Sequence, residues 1–304
     1  MERCQEKIVI NKVLYSTYFQ FGKTMDTNSL WGIIFGLLSA LVWGSGDFAG
    51  GYASRKQSQY QVLYLSAFSG LIFMAVTALI FHEPIPSTRG IIFAALGGLS
   101  GALGIAMFYR SLAIGNAAVV APTTAVIGTA VPVLFSTFLE GLPSQLKLAG
   151  FILAILGIWL VSTGESDHPA GKNGFSLAVL AGIGFAGWLI LLGNVERGYV
   201  FTPLVISRLV ALATGITLVL INRQKFPGLF SNLPALICGV LDVGGNIFYV
   251  LARQFTRLDV AAVLSSLGPA VTVIITTVVL KEPVSRRQWI GVVACLTAVC
   301  LISI

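Results

Sequence analysis

The sequence predicts an all-α integral membrane protein, ten transmembrane helices arranged as two inverted five-helix repeats. Three observations lead there. Apolar residues make up 56% of the 304-residue chain and charged residues 10%. Soluble domains carry roughly a quarter charged residues, so a bilayer is the natural solvent for this chain. Apolar runs recur near the ~20 residues that a helix needs to cross a hydrocarbon core of about 30 Å. Runs such as 30–42 and 261–280 are apolar on all sides instead of alternating, which argues for helices and against a barrel. Third, the chain repeats itself at a constant offset. Gly32, Gly36, Ala40 and Gly44 recur as Gly174, Ala178, Gly182 and Ala186, Thr123-Thr124 as Ser265-Ser266, and Glu140 as Glu282.

Breaking the chain at Pro, Gly and charge clusters gives the spans in order. Span one, 30–53, carries the small-residue stripe, which lets another backbone approach closely, and then Trp43 and Asp47. Span two, 60–81, runs into a loop that starts with His82. Span three, 90–112, repeats the small step at Gly97 and Gly101 and ends on Phe108-Tyr109-Arg110. Span four, 117–139, opens at the helix-capping residue Asn116, and Pro122 and Pro132 interrupt it. Span five, 147–163, is short, so it stands nearly upright or has snorkelling ends.

Residues 164–173 are polar and contain Gly and Pro, and they form the linker between repeats 30–163 and 174–304. Span six, 173–193, carries the second stripe and Trp188, and span seven, 202–221, holds Arg208 well inside it. Span eight, 232–253, holds Asp242 near its middle, then Phe248-Tyr249 and Arg253. Span nine, 259–280, starts at the capping residue Asp259 and is interrupted by Pro269, and span ten, 287–304, is again short.

Five spans per repeat is an odd number, so the second repeat enters the bilayer from the opposite side. Repeats of that kind let one midplane site face either side by exchanging the conformations of two similar halves. Lys and Arg divide almost evenly between the two sides, so the positive-inside rule sets no orientation. Residues 1–29 are an amino-terminal tail with scattered lysines, read either as an arm on the membrane surface or as sequence before a start at Met25.

The net charge of +7 comes from Lys and Arg placed singly or in pairs between spans, a pattern of interfacial anchors, and no nucleic-acid partner is expected. Cys4, Cys238, Cys295 and Cys300 have neither disulfide-framework nor zinc-site spacing. His82 and His168 both fall in loops, no nucleophile or metal-ligand cluster accompanies them, and no nucleotide-cradling Gly-rich Lys loop occurs. No enzyme activity, cofactor or metal is therefore expected. The expected partners are a small-molecule substrate and the lipid bilayer, with a homodimer left open.

The chemistry-bearing residues lie near mid-span. A carboxylate at the depth of Asp242 costs at least ~2.5 kcal/mol unless it is paired, protonated or facing water. Asp242, Asp47 and Arg208 have no charged counterpart in the opposite repeat and are the candidates for ion coupling. Arg208 either pairs with Asp242, meets an anionic substrate group or snorkels, whereas Arg110 and Arg253 snorkel. The expected lining of a substrate cavity is Trp43, Asp47, Tyr109, Thr123, Thr124, Trp188, Asp242, Tyr249, Ser265 and Ser266. Aromatic walls with a few hydroxyls suit a partly apolar metabolite.

The ten-span pattern, the duplicated unit, Trp43-Gly44 in span one and the Glu after spans four and nine resemble the EamA-like group of the drug/metabolite transporter superfamily. The chain departs from that group's usual Gly-Glu, having Leu139-Glu140 and Lys281-Glu282. The resemblance implies a basket of helices in the cell membrane around a central cavity walled by spans one, three, four, six, eight and nine. It also implies export of small metabolites, such as amino acids or drug-like compounds, as the commonest role. A passive pore, a lipid-translocating protein and a membrane-embedded enzyme are the competing classes.

Overall fold

The computed structural model describes residues 25–54, 56–114, 117–162, 172–275, 278–279 and 285–303, without the side chains of 25–28, 59, 109, 112–114, 117–122, 162, 172–173, 273 and 303. The expectations for residues 1–24, Asn116, His168, most of the linker and Glu282, and for the side chains of Tyr109 and Pro122, lie outside the described residues.

Every regular element among the described residues is a helix. They are α1 (Met25–Ala53), α2 (Gln59–Ile80), α3 (Thr88–Ile114), α4 (Ala117–Glu140), α5 (Gln145–Ser162), α6 (Lys172–Gly193), α7 (Phe201–Ile221), α8 (Leu233–Phe255), α9 (Leu258–Ser265), α10 (Gly268–Ile275) and α11 (Arg286–Ser303). Seven of them, α1 to α4 and α6 to α8, are long and apolar enough to cross a membrane, while 145–161 and 258–272 are apolar but shorter. The chain is a multi-pass membrane protein.

Two elements differ from expectation. Helix α1 begins at Met25 rather than Leu30, because its hydrogen-bonded backbone continues past the end of the apolar run. Span nine is two helices, broken at Ser266-Leu267. Pro269 has no N–H to return to the carbonyl of Ser265, and the backbone turns instead through Leu267 N–H to Leu264 O at 3.3 Å and Ala270 N–H to Leu267 O at 3.0 Å. Span four was expected to be interrupted in the same way, yet α4 runs unbroken through Pro122 and Pro132. One missing bond per proline does not end a membrane helix that its neighbours hold.

The packing follows the stripes. Gly32, Gly36 and Gly44 face Thr256, Leu264 and the Gly268 carbonyl, so the stripe of α1 lies on α9 and α10. The stripe of α6 lies on α4, where the Thr124 hydroxyl donates to the Ala178 carbonyl at 3.1 Å and Gly182 meets Ile127. Helix α1 also runs along α8 as α6 runs along α3, α2 crosses α8 as α7 crosses α3, and α2 pairs with α7 and α5 with α11. With α9 and α10 counted as one element, each of these contacts maps onto another, or onto itself, when the two halves of the chain are exchanged.

Connecting segments meet at two ends of the bundle. At one end the Glu83 carboxylate accepts from the backbone N–H of Val200 and Thr202, at 2.7 and 2.5 Å, satisfying orphan donors at the start of α7. Ser87 bonds to Glu196 there, and that bond is the largest cause holding the Glu196 carboxyl below its ordinary pKa. At the other end Gln57 donates to Ser231 at 2.8 Å and Asn232 donates to the Ala53 carbonyl at 3.0 Å. A helix order that alternates direction at every connection requires this sorting.

Candidate functional site

Helix α8 brings the site together. Asp242, Asn246, Tyr249 and Arg253 fall at spacings of four, three and four, which put them on one face of a helix. That face meets α1, α6 and α7.

Asp242 forms an ion pair with Arg208 of α7. The Arg208 side chain is 10% exposed and that of Asp242 41%, so the cation is enclosed and the carboxylate is open on one side. Two isolated charges at this depth would each carry a large desolvation cost, and pairing offsets it. Of the readings open for Arg208, the structure has the ion pair.

Asp47, one turn beyond Trp43 on α1, is exposed. Gly46 next to it lies close to α8, where a Cβ would stand 3.4 Å from the Asp242 backbone nitrogen. Gly50, one turn after Gly46, faces Cys238, one turn before Asp242, where a Cβ would stand 2.9 Å from the sulfur. With Asp47, Asp242 and Arg208 all ionised, the cluster has one surplus negative charge.

Trp43 binds the same turn of α8. Its indole N–H is shared between the Asp242 carbonyl at 3.0 Å and the Asn246 side-chain oxygen at 2.9 Å. The ring rests where residue 245 has no side chain, since a Cβ there would stand 2.2 Å from Trp43 Cδ1. Trp43 meets Trp188 edge-on at 5.8 Å between centroids and stacks on Tyr249 at 6.1 Å, while Trp188 and Tyr249 lie 5.6 Å apart. The Trp188 N–H donates to the Ser207 hydroxyl at 3.2 Å, next to Arg208 in sequence.

Tyr249 is fully buried, and its hydroxyl donates to the Leu189 carbonyl at 2.5 Å. It therefore backs the two indoles, which are themselves half-buried. The structure thus joins five of the expected residues, Trp43, Trp188, Tyr249, Asp242 and Arg208, with Asp47 beside them.

The hydroxyl residues stand apart from that group in their bonding. Thr124 is tied to α6, Ser265 is fully buried with its hydroxyl unpartnered at the end of α9, and Thr123 and Ser266 are half-buried. Two clefts among the described residues are lined by neither indole. A largely apolar one of about 390 Å³ is lined by α1, α8 and α10 residues including Phe48, Tyr52 and Ile237. A smaller one of about 140 Å³ lies by Glu196, Tyr199 and Arg253.

Two expectations are corrected. Asp259 serves the start of its helix from the first turn and not from the N-cap, accepting from the Val260 N–H at 2.8 Å. Arg257 holds the N-cap position of α9, and Asp259, fully buried in the first turn, accepts from Arg257. Arg253 does not snorkel, because three acceptors in its own neighbourhood hold it: the Gly193 carbonyl at 2.9 Å, the Thr256 carbonyl at 3.0 Å and Glu140 at 2.7 Å. Arg110, by contrast, is exposed.

The sequence reading missed Asn246 and Ser207. Asn246 lies four residues after Asp242, and that spacing was the available signal. Ser207 had none, because its partner Trp188 comes from another helix.

Comparison with known proteins follows the same division of the chain. The sequence profile of the EamA-like transporter family matches twice, at residues 30–163 and 172–304. A protein of Streptococcus agalactiae, 22% identical over 84% of this chain and 91% of its own length, bears the name "putative sugar uptake protein". Proteins of Listeria innocua (23% identical, 86% and 93% covered) and Streptococcus pyogenes (25% identical, 84% and 91% covered) bear the same name. A crystal structure of a protein 16% identical in sequence, matched over 90% of this chain and 98% of its own, superposes with a TM-score of 0.73, which establishes a shared fold.

Proposed function

The chain belongs to the EamA-like transporter family, and from that premise we propose that it is a secondary carrier for a sugar or sugar-like polyol in the cell membrane. It works by alternating access between two inverted five-helix repeats that together make ten spans. The observation that carries this reading is the exchange symmetry of the packing, in which α1 on α8 answers to α6 on α3 and α4 on α6 to α9 and α10 on α1. Two halves with interchangeable contacts have two arrangements of similar energy, one open to each side, and a carrier needs that pair.

The substrate class rests on the cluster and on the relatives' names. Indole faces at Trp43 and Trp188 suit the apolar C–H faces of a sugar ring, and Asn246 and Asp242 supply acceptors for its hydroxyls. Uptake is the direction that the relatives' names favour, against the export commoner in the family. The surplus negative charge of Asp47, Asp242 and Arg208 supports coupling to a proton or another monovalent cation.

Reconstitution into liposomes with a panel of labelled sugars, amino acids and cationic drugs, with and without a pH gradient, tests substrate and coupling together. Saturable sugar uptake that a pH gradient drives, and that loses this drive in Asp242→Asn or Asp47→Asn, is the expected result. Gradient-driven sugar uptake that is unchanged in both variants excludes those carboxylates as the coupling site. Transport of amino acids or drugs in preference to every sugar overturns the substrate class.

A further inference from the structure

Glu140, Arg253, Arg257 and Asp259 form an ionic cluster at one end of the bundle, the end that carries the Glu83 and Glu196 contacts. Glu140 is the last residue of α4, and the chain turns away through Gly141 at φ +80°, a conformation that suits glycine. Arg253, in the last turn of α8, joins three helix ends. It donates to Glu140 at the end of α4, to the Gly193 carbonyl at the end of α6, and to the Thr256 carbonyl just beyond α8.

Arg257, at the N-cap of α9, donates to Asp259 at 2.9 Å and to the carbonyls of Glu140 at 2.9 Å and Gly141 at 2.7 Å. It also stands 3.8 Å from the Glu140 carboxylate. Two cations and two anions close the set without surplus charge. All four side chains are less than a third exposed, Asp259 not at all.

Position distinguishes this cluster from an ordinary surface network. Glu140 belongs to the first half of the chain and the two arginines and Asp259 to the second, so the bonds to Glu140 and Gly141 cross from one half to the other. One turn inward from Arg253 is Tyr249, backing Trp43 and Trp188. Helices α4, α6, α8 and α9 cannot separate at this end while Arg253 and Arg257 keep their partners.

We infer that Glu140, Arg253, Arg257 and Asp259 are the gate at this end of the transport path, closed in this structure, and that the Glu140 bonds break each time the carrier opens there. The inference rests on the alternating-access reading. The four are positioning residues, since they set which end is open without touching the solute.

The test measures access, not transport, so it can fail while carrier activity stands. In a chain with its native cysteines replaced, Ser265→Cys places a reporter at a fully buried mid-span position whose hydroxyl has no partner to lose. In lipid nanodiscs, a water-soluble maleimide reacts slowly with this reporter in the parent. Glu140→Gln, which loses the ion pair, and Arg253→Ala, which loses the donor, raise the rate about tenfold or more, whereas Arg253→Lys stays near the parent. A Glu140→Gln protein that remains folded and labels at the parent rate overturns the gate, as does an Arg253→Ala rate no higher than that of Arg253→Lys. Should Arg253→Ala fail to fold, Glu140→Gln alone decides.

Discussion

At the scale of single residues, the Arg208–Asp242 pair has the most direct energetic consequence. Removing Arg208 leaves Asp242 charged and unpaired at membrane depth, with one side open, so Arg208→Met costs about 2–3 kcal/mol of stability. Replacing both, Arg208→Met with Asp242→Leu, removes the uncompensated charge and restores most of that loss while leaving coupled transport absent. Unfolding of the purified variants in detergent checks the first statement, and flux in liposomes the second. A double variant no more stable than Arg208→Met contradicts the pairing account. The ion pair was legible as a possibility because Arg208 and Asp242 are charges deep in apolar runs, where a partner is needed. Asp47 was legible for the same reason. The Glu140 cluster was less so, because residues near span ends have water as an alternative partner and nothing in the sequence alone says that Arg253 turns inward.

At the scale of helices, close approach is what the small residues provide. A Cβ at residue 245 would stand 2.2 Å from the Trp43 ring, so Gly245→Ala pushes the indole off both of its acceptors or α1 away from α8. The expected cost is about 1–3 kcal/mol of stability. A change in tryptophan fluorescence should accompany it, and an unchanged emission spectrum together with unchanged stability would count against the packing described. The stripes on α1 and α6 could be read directly, since small residues at every fourth position have one physical use in a membrane helix. The different behaviour of the prolines could not. Pro269 lies at a break and Pro132 within a continuous helix, and the difference is made by neighbouring helices that sequence spacing does not reveal.

At the scale of the whole molecule, the repeat was the most legible feature, because an offset that preserves stripes, hydroxyl pairs and a terminal glutamate leaves little freedom in the fold. The site was legible only in part. Trp43, Trp188 and Tyr249 converge from three helices, whereas Thr124 is tied to α6 and Ser265 is buried with an unpartnered hydroxyl, both outside that cluster. Symmetry of sequence therefore located the two halves better than it located the cluster. If the halves exchange conformations around one site, a solute bound inside must be released before a second can enter from the other side. Counterflow measures this directly: liposomes loaded with unlabelled sugar are diluted into a trace of labelled sugar. The account predicts that label accumulates transiently above its equilibrium level and then declines, saturably with sugar concentration. A monotonic approach to equilibrium that is linear in concentration, with no overshoot, would contradict a carrier and leave a pore in its place.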